Sequence, residues 1–147
     1  MKRNKERIAV LTDQKLINVR FSDLDPMQVV WHGQYVRYLE DGRESFGRKY
    51  QIGYNDISDA GFYVPIVELD IQYKQSLRYG DRAIVETHYI KTDAAKIIFD
   101  YTVYKESDHS VAATGTSTQV FVGIKNGQLE LNNPDFYIAW QEKWKIR

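Results

Sequence analysis

The segment GQYVRYLEDGRESFGRKYQI, residues Gly33–Ile52, decides the fold of this chain. It predicts one helix about 30 Å long, because an apolar face recurs at helical spacing at Tyr35, Leu39, Gly42, Phe46 and Tyr50. A glycine inside a helix costs about 1 kcal/mol relative to alanine. Gly42 and Gly47 therefore indicate that something packs too closely against the helix to admit a side chain. A sheet wrapped tightly around the helix would explain both glycines.

The sequence on both sides of this helix is typical of β-strands. Before it, residues 16–21 alternate between apolar and polar side chains, and after it residues 67–74 do so more strictly. Further β-rich runs follow at residues 83–91, 96–106 and 110–125. The short polar separators between these runs predict hairpins, and hence an antiparallel sheet.

The end of the chain carries two further signals. Asn126-Gly127 predicts a type I′ hairpin turn into a short final strand at residues 128–131. Asn133-Pro134 predicts the N-terminus of a closing helix that carries Phe136, Trp140 and Trp144. One long helix inserted before a run of antiparallel strands predicts an α+β fold, and the absence of a linker or repeat predicts a single domain over residues 1–147.

The composition excludes several classes of function. The chain has 147 residues, with 20 basic and 20 acidic side chains and no cysteine. Because the formal net charge is zero, no overall field would attract nucleic acid or a membrane surface, and we expect neither partner. The absence of cysteine excludes disulfides, a thiolate nucleophile and a cysteine-ligated metal, and the three histidines show no metal-binding spacing. No apolar run is long enough for a membrane span or a secretory signal, so we expect a cytoplasmic protein.

The connection before the helix holds the candidates for chemistry. Asp23 and Asp25 follow the first strand, and the loop then enters the helix near His32. The N–H groups at a helix start can hold a carbonyl oxygen and stabilise the oxyanion that forms when the carbonyl is attacked. A carboxylate a few residues upstream can act as nucleophile or general base. Caps and turns use the same residue types, so the spacing alone leaves a purely structural role open.

The segment VRFSDLDPMQVVWHGQYVRYLE, residues Val19–Glu40, resembles the signature of the 4-hydroxybenzoyl-CoA thioesterase family, the hotdog-fold acyl-CoA thioesterases. In that family a strand ending in Asp-x-Asp-Pro leads through Val-Val-Tyr/Trp-His into the central helix. The similarity continues at residues 69–73, 78–81, 113–115 and 120–122. The resemblance implies a hotdog fold, in which a five- to six-stranded antiparallel sheet wraps the long helix. It also implies a homo-oligomer, either a dimer or a homotetramer.

The resemblance further implies an activity and its residues. The activity is hydrolysis of an acyl-CoA thioester to the free acid and CoA, without a metal or other cofactor. Asp25, the acid before proline, would be the catalytic carboxylate, acting either as the nucleophile or as the base that activates water. The backbone N–H of His32 would hold the thioester oxygen.

Five residues are candidates for binding the substrate. Trp31 and Tyr35 could line an acyl pocket, and Lys96, with Lys91, falls where members of the family hold the phosphates of CoA. Gln28 stands where members of the family usually carry glycine. Its side chain could narrow the pocket, or it could hydrogen-bond the substrate or a catalytic water.

Two other functions fit the same residues. One is a hotdog protein that binds acyl-CoA without hydrolysing it. The other is an enoyl-CoA hydratase or dehydratase, which would pair His32 with the helix acid Glu40. A structural interpretation of Glu40 also exists, because Arg43 follows three residues later and predicts a local ion pair.

Overall fold

The computed structural model describes residues 9–147, which form three helices and seven strands in an α+β arrangement. The order is β1 (Ala9–Asn18), α1 (Gln34–Tyr50), α2 (Tyr54–Asp59), β2 (Phe62–Tyr63), β3 (Ile66–Tyr73), β4 (Arg82–Ile90), β5 (Lys96–Lys105), β6 (Val111–Val120), β7 (Val122–Gly123) and α3 (Asp135–Lys143). A short 3₁₀ turn, Phe21–Asp23, lies between β1 and α1. No helix within residues 9–147 is long and apolar enough to cross a bilayer.

The strands confirm the predicted antiparallel sheet around one helix. Five of them pair in the order β1-β4-β5-β6-β3, and β2 pairs separately with β7. Helix α1 packs against β1 and β4. Strands β1 and β3 are the two edges of the five-stranded sheet, and the side chains of β3 are almost all exposed.

The core forms where alternate side chains of the two central strands face α1. These side chains are fully buried, and they include Ala83, Val85 and Tyr89 of β4 and Ile97, Phe99 and Val103 of β5. Phe46 of α1 packs its ring on Phe99, with centroids 4.9 Å apart. The apolar stripe of the helix and the period-two pattern of the strands therefore meet as the sequence predicts.

The two helix glycines have different neighbours. A Cβ atom at Gly42 would lie 2.6 Å from Cγ1 of Val85 and 2.8 Å from Oγ1 of Thr87, so the predicted close approach of the sheet is confirmed there. A Cβ atom at Gly47 would instead lie 2.7 Å from Cα of Gly53. The sheet therefore explains Gly42, whereas Gly47 makes room for the turn that follows the helix.

Strand β1 lies earlier in the sequence than predicted. It ends at Asn18, and Phe21, expected on its apolar face, belongs to the 3₁₀ turn and is 75% exposed. The carboxylate of Asp23 accepts a hydrogen bond from the backbone N–H of Arg20 at 3.0 Å. This bond favours the turn over a further strand residue, because it satisfies an N–H that has left the ladder.

The last segment also differs in detail. Of the pair Asn126-Gly127, only Gly127 has a positive φ, 65°, whereas a type I′ turn needs both, and the expected final strand is reduced to the single bridge Val122↔Leu129. Helix α3 begins at Asp135 with Pro134 as its N-cap, one residue later than predicted.

Candidate active site

The loop between β1 and α1 folds back on itself as a small hairpin. Leu24 and Val30 form an antiparallel bridge, and the N–H of Gln28 donates to the carbonyl oxygen of Asp25 at 2.9 Å. Pro26, at the second position of the turn, has a ring that suits a tight turn. The hairpin places Asp25 opposite Val29, whose carbonyl oxygen accepts the Asp25 N–H at 2.8 Å, a few residues before the chain enters α1.

Gln28 completes this turn in a left-handed conformation, with φ 63°. Residues other than glycine adopt that conformation at a cost, because the Cβ atom crowds the backbone. This conformation explains why members of the family usually carry glycine at this position, since glycine adopts a positive φ without that cost. The side chain of Gln28 is exposed at the surface of the loop.

The carboxylate of Asp25 is half-buried and held at one oxygen. Its Oδ1 accepts the backbone N–H of Met27 at 2.8 Å. Within the described part of the chain, Oδ2 has no hydrogen-bond partner. One oxygen therefore fixes the orientation of the group, and the other remains available to a reacting partner.

Asp23 has a different role from Asp25. It is 3% exposed, and its Oδ2 accepts the phenol of Tyr38 at 2.8 Å. Burial raises the pKa of Tyr38, and the bond to Asp23 raises it further, so the phenol stays protonated and donates. Asp23 also accepts the Trp31 N–H through its backbone carbonyl, at 2.9 Å. It anchors the loop to α1, and the structure thus separates two acids that the sequence presents alike.

The start of α1 leaves two backbone donors without an acceptor. The N–H of Gln34 donates to Trp31 at 2.9 Å, and that of Val36 donates to Gly33 at 3.2 Å. The N–H groups of His32 and Gly33 donate to no acceptor in residues 9–147. The imidazole of His32 is exposed beside Trp31. Two consecutive N–H groups at a helix start can donate to an oxyanion.

Trp31 and Tyr35 lie beside these donors at different depths. Trp31 is 49% exposed, and its ring covers Gly33 so closely that a Cβ atom there would lie 2.4 Å from it. Tyr35 is buried, and its ring packs edge-on against Tyr38 and Tyr73. Trp31 can therefore contact a bound molecule directly, whereas Tyr35 supports the wall beneath the helix start.

Lys91 and Lys96 lie at the opposite end of the sheet. Both are exposed, in and after the turn from β4 to β5. Strand β4 begins at Arg82, which pairs with Asn18 just before the Asp25 loop, and it reaches Lys91 nine residues later. At about 3.3 Å per residue that is roughly 30 Å. A single chain therefore does not bring the lysines next to Asp25.

The expected ion pair between Glu40 and Arg43 does not form among the described residues. Glu40 instead accepts the phenol of Tyr54 at 2.9 and 3.2 Å, and burial raises the pKa of this phenol to about 12. The guanidinium of Arg43 is fully buried between the rings of Tyr54 and Phe99, and its Nε donates to Gln119 at 3.0 Å. Three residues on a helix can place Glu40 and Arg43 side by side. The side chain of Arg43 instead lies in the core and does not pair with the Glu40 carboxylate.

His32 and Glu40 are also not brought together, because His32 lies before α1 and Glu40 lies six residues after the helix start at Gln34, about 9 Å along the axis. A hydratase site that pairs the two has no support in this geometry. Residues 9–147 contain no group of three or more His, Asp or Glu side chains placed to hold a metal ion.

Comparisons with known proteins agree with the fold. Residues 19–140 match the sequence profile of the thioesterase-like superfamily. YneP of Bacillus subtilis (strain 168), provisionally named an acyl-CoA thioesterase, is 28% identical over 135 residues, covering 90% of this chain and 97% of that protein. The chloroplastic acyl-acyl carrier protein thioesterase ATL3 of Arabidopsis thaliana is 32% identical over 89 residues, 60% of this chain and 47% of that one. The DHNA-CoA thioesterase structure from Staphylococcus aureus superposes with a TM-score of 0.80 at 22% identity, covering 92% of this chain and 89% of that one. At that identity the structural likeness concerns the fold.

Proposed function

This chain belongs to the thioesterase-like superfamily, and on that premise we propose that it hydrolyses an acyl-CoA thioester to the free acid and CoA. One observation carries the proposal. The proposal is supported by one loop that carries both the carboxylate of Asp25, with one oxygen unbonded, and the N–H groups of His32 and Gly33, which have no acceptor among residues 9–147. A carboxylate and oxyanion donors in one loop are what attack on a carbonyl requires.

The proposed chemistry is acyl transfer to water. Asp25 takes a proton from a water molecule, whose oxygen attacks the thioester carbon, or it attacks that carbon itself and water then hydrolyses the anhydride. In either case the carbonyl oxygen becomes negative and accepts hydrogen bonds from His32 and Gly33. The intermediate collapses, the C–S bond breaks, and the CoA thiolate leaves and takes up a proton, from Asp25 in the first route and from solvent water in the second.

The substrate contacts are assigned in the same way. We propose that Trp31 contacts the acyl group beside the helix start, that Tyr35 supports that wall, and that Gln28 reaches the substrate from the exposed turn. Lys91 and Lys96 would bind the phosphates of CoA. Because one chain places both lysines far from its own Asp25, this assignment needs a second copy of the chain.

We propose that the second copy pairs along β3. This edge strand exposes apolar side chains that an isolated sheet edge would avoid, including Val67 at 55% and Leu69 at 40%. Antiparallel pairing of two β3 strands would place the far end of one sheet beside the Asp25 loop of the other. This pairing would explain the homo-oligomer expected from the family resemblance, since the lysines of one copy would bind the CoA of a substrate that reacts at Asp25 of the partner copy.

The cytoplasmic location expected from the sequence stays a prediction.

Replacing Leu69 by glutamate is expected to give a monomer. A charge in the middle of β3 would be buried by the proposed pairing without a partner, which costs several kcal/mol. Light scattering coupled to size exclusion measures the mass. Leu131→Glu is the control, because Leu131 is 79% exposed outside the sheet. A Leu69→Glu protein that keeps the wild-type mass would exclude β3 as the interface.

The proposed function is tested by thiol release from short, medium and aromatic acyl-CoAs, with acyl carrier protein thioesters of the same acids in parallel. Hydrolysis of at least one CoA ester is the expected result. Saturable binding without turnover would favour the non-catalytic alternative, and absorbance loss with enoyl-CoA without thiol release would favour a hydratase. If the protein prefers the acyl carrier protein thioester, the proposed substrate changes from acyl-CoA to acyl carrier protein, and the proposed hydrolysis of a thioester stands.

Replacing Gln28 by glycine is expected to raise the free energy of unfolding by up to about 1 kcal/mol. The change removes left-handed strain of about 1–2 kcal/mol, and the greater freedom of glycine in the unfolded chain offsets about half of it. Urea unfolding measures the difference. A loss of stability would show that the Gln28 side chain makes a contact that stabilises the fold by more than the backbone strain costs.

The Gln28→Gly variant also tests the proposed contact between Gln28 and the substrate, because losing that contact should raise KM. Turnover gained by glycine in an otherwise inactive protein would favour the binding alternative.

A further inference from the structure

The start of α1 is tied to the edge strand by one tyrosine. Tyr73, the last residue of β3, donates its phenol to the carbonyl oxygen of His32 at 2.9 Å. Its ring stands edge-on to Tyr35, with centroids 5.1 Å apart and planes at 87°. The backbone N–H of Tyr35 also donates to the His32 carbonyl oxygen, at 3.4 Å, so the phenol of Tyr73 is the closer of the two donors.

This bond acts on the peptide that carries one of the free donors. The carbonyl of His32 and the N–H of Gly33 belong to a single planar trans peptide, so fixing one direction fixes the other. A hydrogen bond accepted by a carbonyl also polarises its peptide and strengthens the N–H as a donor. The phenol of Tyr73 therefore both orients the Gly33 N–H and makes it a better partner for a negative oxygen.

Hydrogen bonds other than that of Tyr73 also hold the loop. Val30 donates its N–H to the carbonyl of Leu77 at 2.8 Å, and Trp31 donates to Asp23 at 2.9 Å. These bonds hold the chain up to Trp31 from two directions. The bond from Tyr73 adds a constraint at the next residue, where the free donors begin.

We propose that Tyr73 is a positioning residue for the oxyanion donor of Gly33, and that it acts on the transition state of thioester hydrolysis. The inference rests on the proposed function. Tyr73 does not touch the substrate in this scheme. Because it also lies on the edge where a second copy would pair, it links the alignment of the donors to the subunit boundary.

Replacing Tyr73 by phenylalanine is expected to lower kcat about tenfold, equal to about 1.4 kcal/mol, with KM within twofold of wild type. The ring stays on Tyr35, so the unfolding midpoint should hardly move. Tyr79→Phe is the matched control, because its phenol makes no hydrogen bond among the described residues and is 65% exposed. We expect its kcat and KM to equal the wild-type values.

A spectroscopic measurement separates alignment of the donors from a general loss of structure. The best acyl-CoA of the panel, labelled with ¹³C at its carbonyl, is bound to Asp25→Asn protein, and its C=O stretch is recorded by infrared difference. Donation from His32 and Gly33 should lower the frequency relative to free substrate, and adding Tyr73→Phe should return part of that shift.

The outcomes distinguish this inference from the proposed function. If the wild-type protein hydrolyses no acyl-CoA, both fall. If it does, and Tyr73→Phe keeps full kcat or leaves the carbonyl frequency unchanged, the positioning role alone is overturned. A fall in kcat that is matched by a rise in KM and a lower unfolding midpoint also overturns it, because that pattern reports structural damage.

Discussion

Asp25→Asn is expected to reduce kcat at least about 100-fold and to leave the fold and the proposed homo-oligomer intact. The amide can neither take a proton from water nor form the anhydride, and removal of a general base typically costs two to four orders of magnitude. Its oxygen can still accept the Met27 N–H that Oδ1 of Asp25 accepts at 2.8 Å, so the turn should be preserved. Thiol release under saturating acyl-CoA measures kcat, and urea unfolding measures the stability.

Asp23→Asn is the control for this variant, because it changes the same chemical group two residues earlier in the loop. Asp23 is buried and accepts the phenol of Tyr38, so its substitution should act on stability first, by about 1–3 kcal/mol. If Asp25→Asn retains wild-type turnover, Asp25 has no catalytic role. If the two variants lose turnover and stability in equal proportion, Asp25 has the same structural role in the loop as Asp23.

Much of the fold could be predicted because its signals are local. The helical spacing through Phe46 and the period-two alternation of β4 and β5 each indicate which face is buried, and the fold is built by packing those buried faces together. The errors lie where a distant or polar contact decides the backbone. Strand β1 ends early because Asp23 caps the next turn, and the Asn126-Gly127 turn differs because only Gly127 is left-handed.

The candidate site was less accessible to sequence reasoning. The spacing of Asp23 and Asp25 does not tell the two acids apart, because the difference is made by Tyr38, which lies 15 residues from Asp23. The family resemblance supplied the choice of Asp25. Tyr73 was missed altogether, since a bond from a strand to a loop 41 residues away leaves no spacing signal. An alternating strand that ends in tyrosine beside a helix start gives at most a weak hint.

Gly42→Val is expected to lower the free energy of unfolding by about 3 kcal/mol or more. Even the first added carbon would lie 2.6 Å from Cγ1 of Val85 and 2.8 Å from Oγ1 of Thr87, and both neighbours are fully buried in the central strand β4. Overpacking of this kind costs typically 1–3 kcal/mol for a few extra carbons, and β-branched Val brings three. The better helix propensity of valine returns only a few tenths of a kcal/mol relative to glycine.

Asp41→Val is the matched control, because it introduces the same side chain one residue earlier on the exposed face of α1. Its effect should stay within about 0.5 kcal/mol. A double-mutant cycle with Val85→Ala then locates the strain, since removing Cγ1 should make the pair less unstable than the sum of the single changes. Additive effects, or a Gly42→Val protein as stable as the control, would mean that α1 and β4 lie further apart than described. Since a domain of this size has about 5–15 kcal/mol of stability, this one substitution would remove a large share of it.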